Sequence, residues 1–145
     1  MPFYFTNRGL HTLLNSAISG TTDIRQAVFT GSLPAVGTVR DWNFLSDLIA
    51  DAGSAESVAA GYARADLAGV TLTENDTPDN VTLTATAPVY TAVAAGETWT
   101  FVAYYIEGAS DAARILLGVD QPASSIPTNG GNITGPALSV TVTGS

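Results

Sequence analysis

The chain has no cysteine among its 145 residues, and its positive side chains are five arginines with no lysine at all. Without cysteine there is no disulfide framework and no thiolate metal site. The absence of lysine removes Schiff-base chemistry and Walker-type phosphate loops, and a single histidine, His11, rules out every multi-histidine metal centre. Charged residues make up only 12% of the chain. The formal net charge is −8, and Arg8, Arg25, Arg40, Arg64 and Arg114 are scattered singly. Nucleic acid and anionic membranes need clustered cations, so neither is an expected partner. No run reaches the ~18 apolar residues of a membrane span. The amino terminus lacks a charged-then-apolar leader, which predicts synthesis outside the secretory route and exit from the cell, if any, by lysis.

What the chain does have is apolar residues, 46% of the total, set among many Thr, Ala, Ser and Gly. That mixture fits pleated sheets and tight turns, and the length suits one domain with a substantial core. The densest stretch is Thr98-Trp99-Thr100-Phe101-Val102-Ala103-Tyr104-Tyr105-Ile106. Alternation along a strand puts Trp99, Phe101, Ala103 and Tyr105 on one face and Val102, Tyr104 and Ile106 on the other. Both faces are mostly apolar, which predicts a central strand covered twice, by a second sheet on one side or by helices on the other. Arg114 to Val119 is a second such run, and Gly108 lets the two pair as an antiparallel core hairpin.

Around this hairpin the pattern predicts an apolar amino-terminal arm over residues 1–6, followed by a single β-rich domain over 7–145. Asn7 can cap a helix carrying Leu10, Leu13, Leu14, Ala17 and Ile18 on one stripe, ended by Gly20. A second helix, capped by Asp41 and stopped by Gly53, carries Phe44, Leu45, Leu48, Ile49 and Ala52, with Ser54 to Ala60 a possible further turn. Strands are predicted at Thr22 to Phe29, Tyr62 to Leu67, Val70 to Thr73 with a break at Gly69, Val81 to Ala85, Val89 to Val93 and Leu138 to Thr143. The fold class is therefore mainly β, a β-sandwich-like antiparallel domain with two short α-helices.

Chemistry is thinly supplied. A Ser-His-Asp site would have to use His11, which falls off the apolar stripe of its helix and reads as a solvated residue. Asp76, Asp79, Glu97 and Glu107 could in principle furnish the paired carboxylates of a glycosidase, but they fall in turns where acids bond to backbone or water. The acidic turn from Glu74 to Asn80 offers oxygen donors for calcium yet lacks the central Gly and distal Glu of an EF-hand loop, so an Asx-type turn is the preferred reading. Asn129-Gly130-Gly131-Asn132 precedes a strand-like segment rather than a helix, so it reads as a flexible turn and not a phosphate cradle. No catalytic residue, cofactor or metal is expected.

Several stretches, taken in order, resemble a family of small virion structural proteins of tailed bacteriophages. They are the amino-terminal helix and the strand at Ile24 to Phe29, Phe44-Leu45-Ser46-Asp47-Leu48, and Gly61-Tyr62-Ala63-Arg64-Ala65-Asp66-Leu67-Ala68-Gly69. Val89-Tyr90-Thr91-Ala92-Val93, the run from Thr98 to Ile106 and the Ile115 to Asp120 strand follow. Ile126-Pro127-Thr128-Asn129-Gly130-Gly131-Asn132-Ile133-Thr134 is the most specific of the set. Two departures stand out: Thr22-Asp23-Ile24-Arg25 occupies the place of an Asp-Trp and a lysine-containing strand, and Leu138 to Ser145 lacks an aromatic finish. The resemblance implies a particle component without catalytic residues. The leading expectation is a capsid decoration (cement) protein on the outer surface of the phage head, binding the major capsid protein as a homotrimer. Pro2, Phe3, Tyr4, Phe5 and Arg8 are the expected contact residues. A tail or neck component is the nearest alternative. A carbohydrate-binding module using Trp99, Tyr104 and Tyr105 is the alternative from another class, disfavoured because such a run normally forms core.

Overall fold

A computed structural model describes residues 3–5, 23–51, 53–77 and 79–143. The predicted helix over 7–20, with His11, lies outside them, as do Pro2 and Arg8. The described chain is mainly β, with antiparallel sheets and two short helices.

The larger sheet is built on β2 (Ile24–Gly31) and β9 (Phe101–Ile106), paired from Ile24↔Ile106 to Phe29↔Phe101. On the far side of β9 lies β10 (Ile115–Asp120), beginning at Ile115↔Ile106, so the predicted core hairpin forms. Its connection runs from Glu107 to Arg114. The other edge of β2 is shared end to end by β3 (Ser54–Glu56) and β4 (Ala65–Asp66). The amino-terminal segment β1 (Phe3–Phe5) closes the sheet against β10.

Each strand of the β2–β9–β10 centre is apolar on both faces because each face has its own cover. On one side Ala27, Phe29, Phe101, Ala103, Tyr105, Leu116 and Val119 meet Val39, Trp42, Leu45 and Leu48. These last residues come from α1 (Val36–Asp41), the Trp42 that follows it, and α2 (Leu45–Ile49). On the other side Ile24, Val28, Val102, Tyr104 and Leu117 meet Leu83, Leu138 and Val140. Leu83 and Val140 belong to the second sheet, β5 (Thr71–Asp76), β6 (Asp79–Thr84) and β13 (Ser139–Thr143), ordered β13-β6-β5. A sheet sandwiched between a second sheet and a helical layer follows from that double burial. Leu116 and Val119 both enter the helical-side core, although strict alternation would separate them, because the β10 register shifts there, one residue being added between Leu116↔Tyr105 and Gly118↔Tyr104.

Two short ladders complete the second core: β7 (Val89–Tyr90) with β12 (Ile133–Thr134), and β8 (Thr98–Trp99) with β11 (Ile126–Pro127). They correct one expectation. Thr100 donates its N–H to Phe29 O at 2.9 Å between β8 and β9, and across that break Trp99 turns to the side of Val102 and Tyr104 rather than that of Phe101. Other boundaries also shift. Asp41 does not cap the second helix; the Asp47 carboxylate accepts the N–H groups of Asn43 at 2.8 Å and Phe44 at 2.9 Å and so fixes the entry to α2. Ser54 to Glu56 is strand, not helix, because it can pair with Thr30 and its neighbours on β2. Tyr62 to Leu67 contributes only β4, and Val89 to Val93 only β7.

Candidate assembly surface

The arm meets a prepared seat. In β1 the register runs Phe3↔Asp120, Tyr4↔Val119 and Phe5↔Gly118. Alternation then sends Phe3 to the second-sheet side, where its ring stacks on Tyr104 at 5.7 Å between centroids, and Tyr4 to the helical side. Gly118 is what lets the arm lie so close, since a Cβ there would stand 2.5 Å from the Phe3 ring and 2.5 Å from Tyr4 O. Phe3 and Tyr4 are half-buried, and β1 is the outermost strand at its edge of the sheet among the described residues. Two of the expected contact residues, Phe3 and Tyr4, are therefore brought together on a sheet edge, and Phe5 shares their strand.

Sequence reasoning missed the largest electrostatic feature. Arg64, between β3 and β4, donates Nε to Glu56 at 2.7 Å and Nη1 to Asp111 at 2.6 Å. Arg114 binds the same Asp111 at 2.7 Å and also Glu107, which in turn faces Arg25 at 3.0 Å. Arg25 also pairs with Asp23 and Asp66. The hydrogen bonds from Arg64 hold the Asp111 carboxyl below the usual carboxylate range, and those from Arg114 do the same for Glu107 against the opposing effect of its desolvation. Both guanidiniums lie over the ring of Tyr105, Arg64 at 5.8 Å and Arg114 at 5.9 Å. Three of the scattered arginines are thus spent internally, tying the β9–β10 connection to the β2 edge. Arg40, exposed on α1, stands apart from this network.

The other polar groups are structural in the same way. Fully buried Gln26 donates to Tyr104 Oη at 3.0 Å and Pro136 O at 2.9 Å, and accepts from Tyr90 at 2.7 Å. Glu97 is not a free turn acid: its carboxylate accepts from Ser57, from the Val58 N–H and from Trp99 Nε1. Nor is Asn129 to Asn132 a flexible turn. Gly130 N–H donates to Val93 O at 2.8 Å, Val93 N–H to Gly131 O at 3.0 Å, and Asn132 Oδ1 accepts from Ala92 at 3.0 Å. The acidic segment from Glu74 to Asn80 is the tip of the β5–β6 hairpin, with Asn75↔Asn80 and Asp76↔Asp79 in register. Among the described residues no three His, Cys, Asp or Glu side chains are grouped to hold a metal ion. Trp99, Tyr104 and Tyr105 are 1%, 0% and 0% exposed, so they cannot serve as a sugar-stacking platform.

No family model, curated protein or solved structure matches the chain significantly. What the arrangement can do rests on its own chemistry: a tightly cross-braced double-cored β domain that offers a short aromatic edge strand.

Proposed function

We propose that the protein is a structural component of a tailed-phage virion, a capsid decoration (cement) subunit that binds the outer surface of the head through its major capsid protein. In this reading it stabilises the shell by contact area and forms a homotrimer at local threefold positions, where cyclic symmetry repeats one contact three times. The observation that carries the reading is β1. β1 lies at the edge of the sheet among the described residues, and its half-buried Phe3 and Tyr4 supply the aromatic anchors that interfaces favour. Among the described residues Arg25, Arg64 and Arg114 are neutralised internally, which suits adhesion to protein rather than to nucleic acid.

Removal of residues 1–5 tests the reading. The truncated protein is expected to keep its β-type circular dichroism and to lose binding to empty capsids. Normal binding by a folded truncation would overturn the role of the arm. Mass spectrometry of purified particles should find the chain in hundreds of copies; a handful would favour a tail or neck position.

A further inference from the structure

The seat of the arm contains an ionisable group that no cation among the described residues pairs with. Asp120, the last residue of β10, is 4% exposed, and its Oδ1 has no hydrogen-bond partner. In register it lies between Val102 of β9 and Phe3 of β1, so apolar side chains flank it on both sides. The Gln121 N–H is a donor to the carboxylate. The titratable group that faces it from β9 is Tyr104, whose hydroxyl is turned to Pro136 O at 3.2 Å and therefore does not donate to the carboxylate. Arg40 and Asp41 sit on α1, on the helical side of the sheet, whereas Asp120 alternates with Val119 to the opposite side. A buried carboxylate without a full set of partners disfavours whatever buries it, and removal of β1 is the simplest way to wet it.

We propose that Asp120 is a protonation latch on the amino-terminal strand: with its carboxyl neutral β1 lies closed on β10, and ionisation weakens that pairing and makes the arm available to another chain. The availability clause rests on the arm being the assembly contact, while the latch itself does not. Burial pushes the Asp120 carboxyl up to about 6, so the switch operates as pH rises from about 4 to about 6. Relative to the ordinary carboxyl at 3.8, this limits the effect on docking to roughly a hundredfold.

Amide hydrogen exchange of the intact chain at pH 5 and pH 8, corrected for the intrinsic rate, measures the latch without any capsid. Protection over residues 3–5 is expected to fall by roughly tenfold from pH 5 to pH 8 while that of β2 and β9 holds, and Asp120→Asn should abolish the difference. Equal arm protection at the two pH values in the unaltered protein, or the same fall in Asp120→Asn, overturns the proposal. Should Asp120→Asn not fold, the carboxyl carbon resonance of Asp120 in the unaltered protein decides: titration in the ordinary aspartate range overturns it. Failure to bind capsids would leave these results untouched, so the two readings can fail separately.

Discussion

The ring of Phe3 occupies the space that a side chain on Gly118 would fill, the nearest approach to a Cβ built there being 2.5 Å. The second obstacle, Tyr4 O, is backbone and equally close, so the arm cannot yield by a rotamer change alone. Gly118→Ala should therefore lift β1 from β10 rather than perturb the hairpin beneath it. The expected cost is about 1–3 kcal/mol, the range for overpacking. Thermal unfolding measures it, and heightened protease sensitivity confined to the first residues locates it. A variant as stable as the parent with a fully protected arm would show that the seat is looser than its geometry.

Trp99 tests the second core. Its ring meets Tyr90 edge to face at 5.1 Å and Tyr62 at 6.0 Å, and its indole N–H donates to Ser57 Oγ at 3.1 Å. Trp99→Ala is expected to cost roughly 3–5 kcal/mol, the range for removing a buried ring. Trp99→Phe keeps most of the volume but strips a partner from Ser57 and Glu97, and should cost about 1–3 kcal/mol. Chemical denaturation gives both values. Ready quenching of Trp99 fluorescence by iodide would contradict its burial.

These residues also show how far the sequence could be read. The double apolarity of 98–106 and 114–119 announced a doubly covered hairpin, because alternation within one unbroken strand is a local property. The side taken by Trp99 was not legible, since it depends on the break at Thr100 and on pairing with Ile126, which is remote in sequence. The strand at Ser54 is owed to β2 in the same way. The arginine network was invisible for a related reason: Arg64 and Asp111 are 47 positions apart, and only the fold brings them to 2.6 Å. A loop rich in Asn and Gly reads as flexible, yet Asn129 to Asn132 is held by bonds whose partners lie on another segment. For the arm, apolarity alone left open whether it would fold back; the glycine opposite Phe5 was the available signal, readable only once the β1–β10 register was known.

Two groups of carboxyls act on the pH dependence of stability in opposite senses. Asp111, Glu107 and Glu97 are held below their ordinary values by hydrogen bonds, chiefly from Arg64, Arg114 and Ser57 respectively. A depressed carboxyl contributes stability that is present above its unfolded value and lost as pH falls through its folded one, so these three produce an acid limb below about pH 4. Asp120 does the reverse. Its raised value means that the native state holds a proton more tightly than the unfolded chain, so its contribution is complete below the ordinary 3.8 and is lost as pH rises to about 6. That gap corresponds to roughly 3 kcal/mol if the unfolded carboxyl is ordinary. Stability measured by denaturant titration should therefore peak between about pH 4 and 5 and decline toward neutrality, instead of reaching the plateau common for acidic proteins. Asp120→Asn should flatten the decline on the neutral side, with the acid limb intact. Arg64→Met should do the converse, weakening the acid limb because Asp111 loses the cation that holds its carboxyl down, with a cost of about 1–2 kcal/mol at neutral pH for a network that is part-exposed. A parent profile that rises monotonically to pH 8 would show that Asp120 is paired in solution by a group the buried geometry does not supply.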